Sequence, residues 1–307
     1  MARMLNEGSE PVRLLSATTA RGETLGVVAD EWWLPATDVL PNGPATMADL
    51  LASGEAGLAR LRTALESSVE LIARDGRSLD DTEYLAPVPR PGKVVAIGRN
   101  YRAHAAEEGV DPPRAPLIFS KWASSVVGHG TPIRWSAELT TKVDFEAELA
   151  VVIGRAARRV PVDEALEHVL GYTCLNDVSA RDLQFGDGQW TRGKSLDTFC
   201  PMGPVLVTAD EIGDPQALAI SCAVGSELMQ EASTAQMYFS VAEIISHCSM
   251  AFTLEPGDVI ATGTPGGVGA FRDPPRFLSD GETVSVEIER IGRLVNACVV
   301  EPAAVLA

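Results

Sequence analysis

A chain of 307 residues, 46% hydrophobic and 22% charged, has the composition of an ordinary globular protein and is long enough for one large domain or a large and a small one. Its formal charge of -17 excludes a nucleic-acid partner, because phosphate binding needs a basic face, and any anionic substrate must meet a local cation. No apolar run approaches a membrane span and the N-terminus lacks a basic region followed by an apolar core, which points to a cytoplasmic protein without membrane contact.

Residues 1–88 read as a small N-terminal domain. Val12 to Thr19 and Leu25 to Leu34 are strand-like runs around the Arg21-Gly22-Glu23 turn, the pattern of a hairpin. Thr46 and Asp49 make a capping box for a short helix from Met47 to Ala52. Leu58, Leu61, Leu65, Val69 and Ile72 recur at helical spacing over 57–73. The proline-rich stretch Ala86-Pro-Val-Pro-Arg-Pro-Gly92 cannot continue a helix and sets the boundary to a second domain, residues 89–307.

Lys93 to Gly98 is a short buried strand. A helical stretch over 101–108 then puts His104 and Glu107 at i and i+3 on one face. A carboxylate beside an imidazole raises its basicity and orients it, as a general base acting on water requires; a surface contact on an alanine-rich turn is the competing reading. Farther on, Lys142 to Gly154 read as a strand places Asp144, Glu146 and Glu148 on one face and Val143, Phe145, Ala147 and Leu149 on the other. Three like charges in a row repel one another unless they are solvated or a cation sits among them. Oxygen ligands without His or Cys suit magnesium, manganese or calcium rather than zinc.

Asp163 to Leu170 reads as a helix that Gly171 caps. Asp177 ends the following apolar strand, where it either completes a site on a neighbouring strand or, with Asn176, turns the chain. Gly188 to Ser195 satisfies the phosphate-loop pattern GxxxxGK[ST]. The buried strand before it and the helix after it are both missing, so a nucleotide site is rejected and Lys194 is left unassigned. Ser240 and Glu243 form a capping box before a helix from Val241 to Met250, whose His247 reads as a surface or packed residue. The glycine-rich run from Gly263 to Gly269 either brings backbone amides to an oxyanion or makes a tight turn. Gly281 to Ile291 and Arg293 to Val300 read as two closing strands. The five cysteines form no CxxC pair and read as buried, reduced thiols.

Taken in order, Gly98-Arg-Asn-Tyr-Arg-Ala-His104, Lys142-Val-Asp-Phe-Glu-Ala-Glu-Leu149, Asn176-Asp-Val-Ser-Ala-Arg-Asp182, Gly193-Lys-Ser195 and Gly257-Asp-Val-Ile-Ala-Thr-Gly-Thr-Pro265 resemble the fumarylacetoacetate hydrolase family, in its acylpyruvate hydrolase and 2-hydroxyhepta-2,4-diene-1,7-dioate isomerase-like branch. The resemblance implies an α+β, β-rich fold, a mixed β-sandwich roll with a small N-terminal α/β domain, and a homodimer. It implies Glu146, Glu148 and Asp177 as ligands to Mg2+ or Mn2+, with Ca2+ as a further occupant. It also implies His104, Glu107 and Lys194 as catalytic residues and Gln184 and Thr264 as substrate contacts. The implied activity is C–C cleavage in a small anionic 2-oxo acid of the acylpyruvate or fumarylpyruvate type, by chelation and water activated by His104. No GxSxG elbow is present, which favours water over a serine nucleophile. Isomerisation or decarboxylation of 2-oxo or 2-hydroxydienoate diacids on the same metal site is the alternative. A non-catalytic metal- or ligand-binding protein is the alternative of another class.

Overall fold

The computed structural model describes residues 12–302. Its organising strand is Ala147–Ile153, buried at every position. Leu149, Val151 and Ile153 enter one hydrophobic core, while Ala150 and Val152 enter another on the opposite face. That is why the sequence here is a continuous apolar run rather than an alternation: both faces of the sheet are covered.

This strand lies inside a 12-stranded sheet. On one side it pairs antiparallel with Val169–Asn176, which pairs with Cys200–Thr208; on the other it pairs antiparallel with Val259–Ala261. Val259–Ala261 pairs in parallel with Val94–Gly98, and Leu117–Lys121 forms the next strand. The chain then returns, so that Val126–Val127 pairs with Cys200–Pro201 and the sheet curls back on itself. A 5-stranded sheet, containing Ile133–Ser136, Ala219–Val224, Glu227–Ser233, Thr283–Ile288 and Gly292–Glu301, packs on the first core together with the Val241–Ala251 helix. The second core is closed by Met47, Leu50, Leu61 and Leu65 of the Met47–Glu66 helix. The β-rich α+β class expected from the sequence is the observed one.

The described residues before the proline-rich stretch extend the large sheet rather than building one of their own. Arg13–Thr19 pairs with Cys200–Thr208, Arg13 opposite Val207, and carries Gly22–Ala29 and Trp32–Pro35 outward as a continuation of the large sheet. The predicted single run from Leu25 to Leu34 is two strands, because the chain turns at Asp30, whose φ is 50°. Both capping boxes form: Thr46 Oγ1 accepts from Asp49 N at 3.2 Å, and Ser240 Oγ accepts from Glu243 N at 3.3 Å. The first helix extends to Glu66 but is broken at Gly54, where φ 60° and ψ -156° leave the helical region, so the predicted gap between two helices is a kink. The predicted helix over 163–170 is a 3-10 segment, Val162–His168. His247 is exposed on its helix.

Register decides where the chemistry sits. Ala147 lies opposite Asn176, Ala150 opposite Ala261, and Ala261 beside Ala96. The N-terminal end of the central strand therefore meets the C-terminal ends of three neighbours, and Glu146, Asp177, Gly263 and Arg99 leave the sheet close together.

Candidate active site and metal centre

The sequence placed three carboxylates on one strand face; the fold separates one of them. Strand pairing stops after Asp144 and resumes at Ala147. Two side chains fill the gap: Asn176 Oδ1 accepts from Glu146 N at 3.0 Å and Gln230 Oε1 from Ala147 N at 2.9 Å. Asp144 turns away from the others. It accepts from Arg181 Nε at 2.8 Å, Gly269 N at 2.8 Å and Ala270 N at 2.9 Å, and so anchors the glycine-rich loop. The same loop donates Gly263 N to Glu148 Oε2 and Gly267 N to Glu107 Oε2, each at 2.8 Å. Its amides thus serve carboxylates. Gly263 has φ 100° and a Cβ there would lie 2.7 Å from Asn100 Cβ, so only glycine brings this amide to Glu148.

Glu146, Glu148 and Asp177 are buried, and each offers an oxygen within 4.8 Å of the others. Cations hold two of the three. Lys194 Nζ donates to Glu146 Oε2 at 2.9 Å, Asp177 Oδ2 at 2.7 Å and Ser179 Oγ at 2.8 Å. Lys121 Nζ donates to Asp177 Oδ1 at 2.6 Å, and Arg181 pairs with Glu146 Oε1 at 2.7 Å. Burial alone would raise the Glu146 pKa, but Lys194 and Arg181 outweigh it and hold this carboxyl well below its ordinary value. Among the described residues no cation pairs with Glu148. Burial, then the charges of Asp177 and Glu146, push its pKa far above 4.5, and Gly263 N–H and Lys194 offset this only in part.

This imbalance is what a divalent cation would correct. Three buried carboxylate oxygens without His or Cys are a hard donor set, and they fit Mg2+ or Mn2+. Because Glu148 must be ionised to ligate and its surroundings favour the protonated form, metal uptake is expected to be coupled to proton release, the more strongly as pH falls. Calorimetric titration with Mn2+ in two buffers of different ionisation enthalpy measures it; equal heats in both would contradict the assignment. The metal-free protein carries a related signature. A carboxyl whose folded pKa lies above its unfolded value stabilises the fold below the unfolded value and loses that contribution as pH rises through the folded one. Stability of the chelator-treated protein is therefore expected to fall as pH rises above 4.5, with Glu148→Gln removing that component of the decline.

His104 and Glu107 face each other as the HxxE spacing predicts, Nδ1 to Oε1 at 2.7 Å, on the Arg102–Glu107 helix. A second carboxylate, Glu108, reaches Nε2 at 3.1 Å. Burial pushes the imidazole pKa down, but the hydrogen bonds to Glu107 and Glu108 outweigh it and raise it to about 9. His104, Glu146, Glu148, Gln184, Lys194 and Thr264 line one narrow cleft, so the expected base, two of the three expected ligands and both expected substrate contacts come together, with Asp177 and Glu107 behind its wall. Gln184 Oε1 accepts from Arg181 Nη1 at 2.9 Å, and Thr264 Oγ1 accepts from Gln230 Nε2 at 2.8 Å.

Several site residues escaped the sequence reading. Lys121 ends an apolar strand, the same signal that singled out Asp177, and is fully buried against it. Arg181 sits in the motif around Asp177 and bridges Asp144 to Glu146. Glu108, at i+4 from His104, had as good a claim by helical spacing as Glu107. The phosphate-loop pattern has a packing explanation. Trp190–Gly193 is a single helical turn, a Cβ on Gly193 would lie 2.5 Å from Gln184 N, and the turn aims Lys194 inward. All five cysteines are free and buried, and burial raises the thiols of Cys174, Cys200, Cys248 and Cys298 to about 12.

The family described as fumarylacetoacetate (FAA) hydrolase C-terminal matches residues 93–300. A mitochondrial oxaloacetate tautomerase of Bos taurus, FAHD2B, is 47% identical over 261 residues, covering 84% of this chain and 81% of the relative. The oxaloacetate tautomerase YisK of Bacillus subtilis (strain 168) is 42% identical over 259 residues, covering 82% and 86%. Among solved structures, a fumarylacetoacetate hydrolase from Exiguobacterium antarcticum superposes with a TM-score of 0.80 at 36% identity, covering 94% of this chain and 100% of that one. A 2-hydroxyhepta-2,4-diene-1,7-dioate isomerase from Mycobacterium marinum gives 0.72 at 35%, covering 94% and 99%. With residues 93–300 matched by the family and most of its length shared with these relatives, the chain belongs to the fumarylacetoacetate hydrolase family.

Proposed function

We propose that the protein interconverts the keto and enol forms of a small 2-oxo diacid of the oxaloacetate type, with Mg2+ or Mn2+ held by Glu146, Glu148 and Asp177. The observation that carries this reading is the shared cleft, in which carboxylate ligands, an imidazole and two polar orienting groups surround one small space. A divalent cation bound there would polarise the carbonyl of a 2-oxo acid and stabilise charge on its oxygen. The remaining chemistry is one proton moved between carbon and oxygen, and His104 is the group to move it. In the ketonising direction His104, protonated between its two carboxylates, gives a proton to C3, the C2–C3 π pair becomes the new C–H bond, and the proton lost from the enol oxygen restores the ring. Glu107, itself fixed by Gly267 N, orients the ring through Nδ1. Gln184 and Thr264 orient the substrate. Lys194 differs from the oxyanion-stabilising role expected of it, because its three protons already go to Glu146, Asp177 and Ser179. Its role here is to hold the ligands in place.

Hydrolysis, the activity first expected, also needs a water aligned on a distal carbonyl. Tautomerisation needs only the groups already in place, and the curated relatives reported above are named for it. The cytoplasmic location and the homodimer expected from the sequence remain proposals, the first beside a Bos taurus relative that is mitochondrial by name. To test the reading, enol-oxaloacetate is mixed with the Mg2+-loaded protein and the loss of enol absorbance followed. The expected result is ketonisation faster than in buffer, abolished by chelator. No acceleration, together with metal-dependent cleavage of acetylpyruvate to acetate and pyruvate, would return the assignment to the hydrolases.

A further inference from the structure

His104 has no free ring nitrogen. Nδ1 faces Glu107 Oε1 at 2.7 Å and Nε2 faces Glu108 Oε1 at 3.1 Å. With a carboxylate on each side the ring donates from both nitrogens, and a proton-transfer role needs one side opened. The two carboxylates are not equally fixed. The second oxygen of Glu107 accepts from Gly267 N at 2.8 Å, a backbone group of the glycine-rich loop. Among the described residues the second oxygen of Glu108 meets only Arg99, whose Nε and Nη2 each lie 2.9 Å away.

Arg99 is placed to do more than hold Glu108. Its φ of 58° is uncommon for a bulky residue, and its guanidinium lies 5.4 Å over the Trp190 ring at the wall of the cleft. Lys121, Lys194 and Arg181 are each bound to a triad carboxylate. The partner of Arg99 is outside the triad, so this cation can change partners without disturbing the metal ligands. Past Arg99 the cleft opens to an outer groove that Arg99 and Trp190 also line.

We propose that Glu108 is a removable plug on His104, and that Arg99 draws it off when the distal carboxylate of a diacid arrives. The incoming carboxylate takes the place of Glu108 on the guanidinium, a two-oxygen bidentate pair replacing one in which both nitrogens share Glu108 Oε2, and Glu108 leaves Nε2 with the ring proton now free to be passed on. A 2-oxo monoacid has nothing to offer Arg99 and leaves His104 blocked. The second carboxylate is then a condition for turnover, which a simple binding contact would not make it. The inference rests on the tautomerase reading and names the substrate feature that the site reads.

The test compares oxaloacetate with 2-oxobutanoate, which has methyl in place of the distal carboxylate, by deuterium exchange at C3 on the Mg2+-loaded enzyme. Wild type is expected to favour the diacid. Arg99→Met is expected to lower the diacid rate about 10- to 100-fold, the range for losing a charged hydrogen-bonded pair, and to leave the monoacid rate low. Glu108→Ala is expected to raise the monoacid rate toward that of the diacid. An equal fall with both substrates in Glu108→Ala would make Glu108 a purely structural partner and overturn the proposal. A second measurement is independent of turnover. The Nε2 resonance of His104 in the Mg2+-loaded wild type is expected to move with oxaloacetate and not with 2-oxobutanoate. That selectivity in a protein that enolises neither acid would retain the plug and discard the tautomerase reading, whereas identical spectra with both acids would discard the plug.

Discussion

Glu148→Gln is expected to abolish metal binding and activity while leaving the metal-free fold as stable as wild type or more so. Asp177→Ala is expected to lose both the metal and about 3–5 kcal/mol of stability. The two carboxylates share one site but stand in different surroundings. Glu148 is buried without a cation, so neutralising it removes a cost. Asp177 is the common partner of Lys121 and Lys194, and its removal leaves two buried ammonium groups short of a counter-charge. Thermal melting in chelator separates the two variants, and calorimetry with Mn2+ reports the ion. The loss of affinity in Glu148→Gln is expected to exceed the ~10–100-fold typical of a change outside the ligand set. Wild-type turnover by protein shown metal-free by elemental analysis would end the metal assignment.

His104→Ala is expected to lower the rate of keto–enol interconversion by ~10²–10⁴-fold, the usual range for a positioned acid–base group, with metal affinity unchanged. Glu107→Gln is expected to cost less, since the ring remains and the amide oxygen keeps one of the two hydrogen bonds that the carboxylate accepts, from Nδ1 or from Gly267 N. The measurement is kcat with saturating Mg2+, checked against metal affinity for each variant. Unchanged rates in both variants would reduce the HxxE pair to a contact that closes the helix over the cleft. The same pair then could not support hydrolysis either.

Local patterns are legible in the sequence where the relations between them are not, for a physical reason. Glu146, Glu148, Asp177, His104 and Glu107 lie in short local patterns, and helical or strand spacing brings each group to one place. Asp144 failed because strand alternation holds only while the strand lasts, and the side chains that interrupt it, Asn176 and Gln230, come from distant segments. Lys121 and Arg181 were missed because a buried cation shows itself only through the carboxylate it neutralises, and no local pattern pairs Lys121 with Asp177. The N-terminal strands were legible as strands, but nothing in 1–88 says that Arg13 will lie opposite Val207. Register between far parts of a chain is a property of the assembled core.

That dependence on distant partners has a consequence for how the protein comes into being. Val94 lies beside Val259, Ile133 beside Cys298, and the amide that fixes Glu148 belongs to Gly263. A nascent chain that has left the ribosome only as far as Asp177 holds the three carboxylates but neither the Val259–Ala261 strand on their far side nor the Gly263 amide that orders Glu148. Such long-range pairing makes loop closure the slow step of folding. A cation held by the triad would therefore be a late arrival, bound by a finished scaffold rather than acting as the seed around which the scaffold forms.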